Sequence, residues 1–262
     1  MNANKNDLGF ASIRVHSRLK LKLVSCEIFF REMEFLLEHT PHEIDVEFMQ
    51  KGLHDIPTDE MASRLQKQVD SAQGYDAILL GYGLCNNGLV GLTARDTPLV
   101  LPRAHDCITL FFGSREKYKT YFDAHLGTYF LTTGWIERDK VADELKQLSI
   151  PNQMGMDMSY EQMVEQYGED NAQFLMEEFD DKGKNYSQIT FIEMGVEPDG
   201  SFEQTAREEA ASKHWNFEKV SGNLDLLQRL LSGDWNDDFL IVPPHRKIIA
   251  RHDGLIVSAV RD

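Results

Sequence analysis

The chain lacks the features that mark several large classes of protein. Its longest apolar runs, such as AILLG and FLIVPP, have the length of a strand and fall far short of a membrane span. Lys and Arg total 27 against 43 Asp and Glu, a net charge of −16, which argues against nucleic acid or an anionic membrane as a partner. The opening residues, MNANKN, lack the basic start and apolar stretch of a secretory signal. We therefore expect a cytoplasmic protein.

Several catalytic signatures are also missing. The run GYGLCNNG carries Asn86 where the dinucleotide fingerprint requires its last glycine, and no Gly-Lys-Ser/Thr marks a P-loop. The chain has neither a His-Glu-x-x-His motif nor a serine nucleophile elbow. These absences argue against dinucleotide enzymes, P-loop enzymes, zincin proteases and serine hydrolases.

What the chain does contain is an alternation of strand and helix patterns. Strands separated by helices of about a dozen residues indicate βαβ units and a parallel sheet. We predict an α/β fold in which Rossmann-like parallel sheets are flanked by helices, with two βα halves and a helical insertion between them. The predicted segments are a flexible lead over 1–18, a first half over 19–136, the insertion over 137–185 and a second half over 186–262.

Only three cysteines occur in the 262 residues, and each follows a predicted strand: Cys26, Cys85 and Cys107. The carboxyl ends of the strands form the ligand crevice of an open α/β sheet, so we expect the three thiols to converge on one site. Asp106 is the predicted N-cap of a helix that begins at Cys107, and the first turn of a helix stabilises a thiolate. An odd number of cysteines favours an intracellular protein over a disulfide framework.

Two kinds of metal site fit this pattern. Zinc would take Cys107, His105 and one or both of the other thiols, and His-x-Cys with a distant cysteine resembles the zinc motif of enzymes that activate thiols for methyl transfer. An iron–sulfur cluster would use all three cysteines, in a way similar to quinolinate synthase and diphthamide-type enzymes, and His105 would then bind substrate or donate a proton. The spacing leaves both open. Free cysteine is also a common core residue, so a metal-free ligand-binding protein is a third hypothesis.

Further candidates surround the thiols in the predicted crevice. His54 and Asp55 form a potential His–carboxylate pair that could act as a base. Arg103 could clamp a carboxylate or phosphate group of a substrate. The predicted catalytic residues are His105, His54 and Asp55, and the predicted substrate-binding residues are Arg103, Tyr82, Asn86 and Trp135.

Three segments, GYGLCNNG (81–88), PRAHDCIT (102–109) and GTYFLTTGW (127–135), resemble those of the domain-of-unknown-function 1638 family. The resemblance extends from Cys26 to the region of Trp235. Members of this family are typical of anaerobes and methanogens and occur near genes for corrinoid-dependent methyltransferases. The resemblance therefore implies a context in one-carbon or methylated-amine metabolism and implies no particular reaction.

These observations lead to one main hypothesis and one alternative from another class. The main hypothesis is a metal-dependent enzyme, a transferase or lyase, that acts on a small molecule in one-carbon, methylamine or sulfur metabolism. Its metal ligands are Cys26, Cys85 and Cys107, with His105 as a fourth ligand or an acid/base group. The alternative is a non-catalytic accessory or binding protein for a corrinoid methyltransferase system or for metal delivery, with a corrinoid protein as partner.

Overall fold

A computed structural model of the protein describes residues 18–156, 158–183 and 185–261. Nearly all of the predicted N-terminal lead lies outside these residues. Within the described part of the chain, no helix combines the length and the apolar character that crossing a membrane requires.

The main sheet has five strands: β1 (Lys20–Cys26), β2 (Glu43–Met49), β3 (Ala77–Gly81), β4 (Leu99–Pro102) and β8 (Phe239–Val242). Their order across the sheet is β2-β1-β3-β4-β8. Strands β1 to β4 are parallel, and β8 pairs with β4 in the antiparallel direction. The central strand β3, AILLG, is buried along its whole length because helices cover both faces of the sheet.

A second parallel sheet has the order β5-β6-β7, with β5 at Thr128–Leu131, β6 at Gln188–Glu193 and β7 at Asn216–Ser221. An antiparallel pair, β9 (Arg246–Ala250) with β10 (Val257–Arg261), completes the strands of the described residues. The predicted α/β class with parallel sheets flanked by helices is confirmed. The antiparallel pair was not predicted, because its charged strand ends interrupt the apolar alternation.

The helices connect these strands and cover the sheets. They are α1 (Phe30–Leu37), α2 (Thr58–Ser71), α3 (Cys107–Phe112), α4 (Arg115–Ala124), α5 (Thr133–Glu137), α6 (Asp143–Leu148), α7 (Ile150–Gln153), α8 (Tyr160–Tyr167), α9 (Glu169–Gly183), α10 (Ser201–Ser212) and α11 (Asp225–Ser232). Between 137 and 185 the described residues form helices and turns without a strand.

Strand pairing crosses the predicted boundaries of the two halves. Strand β5 lies before the insertion in sequence, yet it pairs with β6 beyond it. Strand β8 lies in the predicted second half, yet it pairs with β4 of the first. The reason is that hydrogen bonding between strands depends on proximity in space, which the order of the elements along the chain does not specify.

Candidate functional site

The three cysteines lie at the point where the strand order of the main sheet reverses direction. The chain passes from β1 to β2 on one side and then to β3 on the other side of β1. Such a switch point opens a crevice at the carboxyl ends of the strands, where open α/β proteins bind ligands. Cys26 is the last residue of β1, and Tyr82 directly follows β3.

Two loops meet at this crevice, one following β3 and the other following β4. The backbone N–H of Leu84 donates to the carbonyl of Ala104 (2.8 Å), and that of Cys85 donates to the carbonyl of His105 (3.0 Å). Gly83 makes this approach possible, since a Cβ at that position would lie 2.4 Å from the carbonyl carbon of Asp106. The parallel pairing of the strands thus continues into the loops that carry two of the thiols.

The Sγ atoms of Cys85 and Cys107 are in contact at 3.1 Å. Cys107 is the first residue of α3. The predicted N-cap is confirmed, since the Asp106 carboxylate accepts the N–H of Thr109 at 2.9 Å and so fixes the start of the helix. Cys85 begins three consecutive left-handed residues, with φ of 40°, 52° and 61° at 85, 86 and 87. Non-glycine residues rarely adopt this conformation, and strained backbone of this kind is concentrated at functional sites.

All three thiols are free and buried, with exposed fractions of 5% for Cys26 and 9% for each of the other two. Burial raises the pKa of Cys26 well above its usual value, and the nearby Cys107 raises it further. The contact with Cys85, followed by burial, likewise raises the pKa of Cys107. Without a cation beside them, Cys26 and Cys107 therefore remain protonated at neutral pH.

The thiols line a cavity of about 230 Å³ whose walls are mainly apolar. Trp135 closes one side, and its position depends on close packing of α5 against the turn that follows β1. A Cβ on Gly134 would lie 1.8 Å from the carbonyl oxygen of Ile28, so glycine is required there. The cavity is lined by Cys26, Ile28, Gln50, Lys51, Leu53, His54, Met61, Tyr82, Cys85, Asn86, Asp106, Cys107, Ile108 and Trp135.

Two basic side chains reach the same cavity. The half-buried Lys51 donates from Nζ to the carbonyl of Trp135 at 2.9 Å and lies 5.1 Å from the centre of that ring. Burial lowers the pKa of Lys51. His54 pairs with Asp55 at 3.1 Å, as the sequence suggested, and it contacts the Trp135 ring edge-on. Burial opposes protonation of His54, but the Asp55 carboxylate outweighs it and the pKa is raised.

Two buried polar groups at the cavity have no hydrogen-bond partner among the described residues. The hydroxyl of Tyr82 is one, on a side chain that is only 2% exposed. The indole Nε1 of Trp135 is the other. Unpaired buried polar atoms are uncommon and costly, so they indicate a missing partner such as water or a ligand.

The contact between the thiols of Cys85 and Cys107 already places two potential ligands of one metal ion side by side. Within residues 18–156, 158–183 and 185–261, no three His, Cys, Asp or Glu side chains already stand close enough together to hold a metal ion. Cys85 and Cys107 do lie side by side, and Cys26 faces the same cavity. A soft ion on the pair would need Cys26 or a substrate atom as a further ligand.

Two predicted site residues lie away from this cavity. His105 is exposed and lines a different cavity, next to Arg115 and Tyr118, because the backbone turns outward before α3 begins. Arg103 points toward the segment before β10, where its guanidinium donates to the carbonyls of Leu255 and Val257. The structure thus does not bring His105 to the thiols as a ligand, and it gives Arg103 a backbone contact in place of a substrate clamp.

The remaining predicted residues do meet at the cavity, and one further residue was overlooked. His54, Tyr82, Asn86 and Trp135 all line its wall, with Asp55 behind His54. The overlooked residue is Lys51, two positions after the end of β2. The rule that located the cysteines, which places functional groups after strand ends, applies to Lys51 equally.

The family model described as "Protein of unknown function (DUF1638)" matches residues 48–231. This range contains Lys51, Tyr82, Cys85, Cys107 and Trp135, and it begins after Cys26, so it is narrower than the resemblance predicted. No curated protein and no solved structure matches the chain.

Proposed function

The chain belongs to the DUF1638 family. From the geometry of its thiol cavity we propose that the protein is a metalloenzyme that acts on a small molecule. Cys85 and Cys107 would hold one soft metal ion, with zinc as the best match, and Cys26 would complete the ligand set. The observation that carries the proposal is the 3.1 Å contact between the two sulfur atoms.

This contact favours a single ion over a cluster. In a four-iron cluster held by three cysteines, each cysteine binds a different iron atom, which keeps the ligand sulfurs well apart. Two thiolates on one tetrahedral ion are neighbours, since each lies about 2.3 Å from the metal. The close pair therefore supports zinc more than the cluster.

Backbone groups support thiolates at this place. The N–H of Gly83 hydrogen-bonds the sulfur of Cys107, and the N–H of Ile28 does the same for Cys26; each bond lowers the pKa of its thiol. Their effect is smaller than that of burial, so a cation is needed to displace the protons. A metal ion would supply that charge.

A metal ion held by these cysteines would supply Lewis acidity to a bound substrate atom. The chain's own residues hold the substrate and keep water away from it. Ile28, Met61 and Trp135 provide apolar walls, and His54 with Asp55 can move a proton at the cavity rim. Transfer or lysis of a small group, as in one-carbon or sulfur metabolism, is the reaction class we propose.

Metal analysis of anaerobically purified protein tests the metal site. We expect about one equivalent of zinc per chain, as for one tetrahedral site, and loss of that zinc in Cys85→Ser and Cys107→Ser. Met61→Leu, which alters the same cavity without removing a thiol, should retain it. Iron with acid-labile sulfide would overturn the zinc assignment. Three thiols that react freely with an alkylating agent in the native protein would overturn every metal assignment.

Catalysis needs a separate experiment, because an accessory protein could hold the same metal. Zinc-loaded protein should deplete at least one compound from a defined mixture of small metabolites, and Cys107→Ser should not. A stable complex with a purified corrinoid protein, together with no depletion of any compound, would instead favour the accessory function.

A further inference from the structure

The unused hydrogen-bonding groups of the thiol cavity are mainly donors. The indole Nε1 of Trp135 can only donate a hydrogen bond. The Tyr82 hydroxyl carries a proton, because burial and, to a smaller extent, the nearby thiols raise its pKa well above its usual value. The ammonium of Lys51 has three N–H bonds and donates one of them to the carbonyl of Trp135. These groups would be matched by an acceptor inside the cavity.

Lys51 is also without a carboxylate partner among the described residues. Glu27 accepts the backbone N–H of Lys51 at 2.9 Å, and the charges of Asp139, Glu27 and Asp55 raise the pKa of the ammonium without forming an ion pair with it. The ammonium rests directly on a carbonyl and an aromatic ring, and its burial without an ion pair costs free energy that a bound anion would offset. The cavity therefore favours a negative group.

His54 is a second basic side chain beside Lys51, and its charge is paired with the carboxylate of Asp55. Its Nδ1 faces the carbonyl of Lys51, and its Nε2 faces the carboxylate of Asp55. Both partners are acceptors, so both ring nitrogens must donate, and this arrangement favours the imidazolium form. Two basic side chains thus stand on one wall of the cavity.

Two of the acceptors in the wall are already in use. The Asp106 carboxylate accepts from the N–H and the hydroxyl of Thr109 and from the hydroxyl of Tyr118. The side-chain oxygen of Gln50 accepts the N–H of Ala142. The side-chain oxygen of Asn86 remains as an acceptor, so the cavity offers a ligand more free donors than free acceptors.

We infer that the substrate is a small organic carboxylate whose anionic group is bound by Lys51, Tyr82 and Trp135, with the remainder of the molecule directed toward the thiols. The reaction of this substrate rests on the proposed function, whereas its binding is inferred from the hydrogen-bond donors of the cavity alone. The cavity of about 230 Å³ is smaller than a typical drug-sized pocket of about 300–1,000 Å³. This size and the apolar walls favour a short monoanion.

A pair of nearly isosteric probes tests the inference. Mercaptoacetate and mercaptoacetamide have nearly the same shape, but the amide is neutral and has NH2 in place of one carboxylate oxygen; both can present sulfur to a metal. For the zinc-loaded protein we expect mercaptoacetate to bind about tenfold or more tightly than the amide, as a charged hydrogen bond predicts. Titration calorimetry measures both affinities, and the shift of the Trp135 indole N–H signal locates the binding.

Variants identify the groups responsible. Lys51→Met should abolish the preference for mercaptoacetate, whereas Lys51→Arg should retain it, and Tyr82→Phe should reduce it. Lys67→Met, an exposed lysine outside the cavity, is the matched control and should change nothing. Zinc content and melting temperature confirm that each variant has folded.

The same comparison with acetate and acetamide on zinc-free protein separates the two proposals. A preference for acetate without any zinc uptake would overturn the metal proposal and support carboxylate binding. Zinc uptake with equal affinity for charged and neutral probes would overturn the carboxylate inference and leave the metal site standing. A preference for the charged probe that persists in Lys51→Met would also overturn the inference.

Discussion

The thiols of Cys85 and Cys107 touch at 3.1 Å, although the residues are 22 positions apart in the chain. The contact depends on backbone pairing between the loops that follow β3 and β4, through the bonds from Leu84 and Cys85. Because the backbone holds the two sulfurs side by side before any ligand arrives, little conformational entropy is lost when they bind one.

This proximity predicts which disulfide forms on oxidation. Treatment of metal-free protein with diamide should link Cys85 to Cys107 and leave Cys26 reduced, because only the first pair is in contact. Alkylation followed by peptide mass spectrometry identifies the linked residues. Cys26→Ser should still form the link and Cys85→Ser should not; a link that includes Cys26 would contradict the prediction.

Gly83 should be essential for the approach of the two loops. In Gly83→Ala the new Cβ would lie 2.4 Å from the Asp106 backbone, which cannot move away without breaking the helix cap. We expect a loss of about 1–3 kcal/mol in the free energy of unfolding, as for other overpacked sites, together with loss of metal binding. Denaturant unfolding and metal analysis check both effects.

Gly200→Ala is the matched control for that substitution. No heavy atom lies within 4 Å of a Cβ at Gly200, and its φ of −81° suits any residue. This variant should match the wild type in stability and in metal content. An equal loss in both variants would show that the contact with Asp106 is not responsible.

Glu32 should make stability fall as pH rises. It is fully buried in α1 with neither carboxylate oxygen hydrogen-bonded, and burial, reinforced by Glu197 and Glu137 and opposed by Arg31, raises its pKa to about 8. The unfolded chain releases this proton near its ordinary pKa of 4.5. Between those values the folded state binds more protons, so the free energy of unfolding decreases by about 1.4 kcal/mol per pH unit.

The variant Glu32→Gln tests this, because its amide does not titrate. It should be more stable than the wild type by several kcal/mol at pH 8, following from about 1.4 kcal/mol per unit of pKa shift, and should differ little at pH 5. Glu34→Gln, on the exposed face of the same helix, is the control and should show no such pH dependence. Denaturant unfolding at the two pH values gives the comparison.

His54 should titrate at a raised pKa because of Asp55. In Asp55→Asn the pKa of His54 should fall, since the carboxylate that offsets burial is lost. Imidazole signals in an NMR pH titration measure the change. Asp59→Asn, in the first turn of α2, is the control; an unchanged His54 pKa in Asp55→Asn would refute the assigned cause.

The local pattern of the sequence determined the α/β class, the helix cap at Asp106 and the convergence of the cysteines. Alternating strands and helices specify a parallel sheet, and the carboxyl ends of its strands lie at one edge, so residues after those strands must meet. Only the tertiary structure decided which neighbours join them. The turn before α3 directs His105 away from the thiol cavity. Close packing of α5 at Gly134 against Ile28 places Trp135 in the wall of that cavity. Side-chain direction and contacts between distant segments depend on packing in three dimensions, which spacing along the chain does not encode.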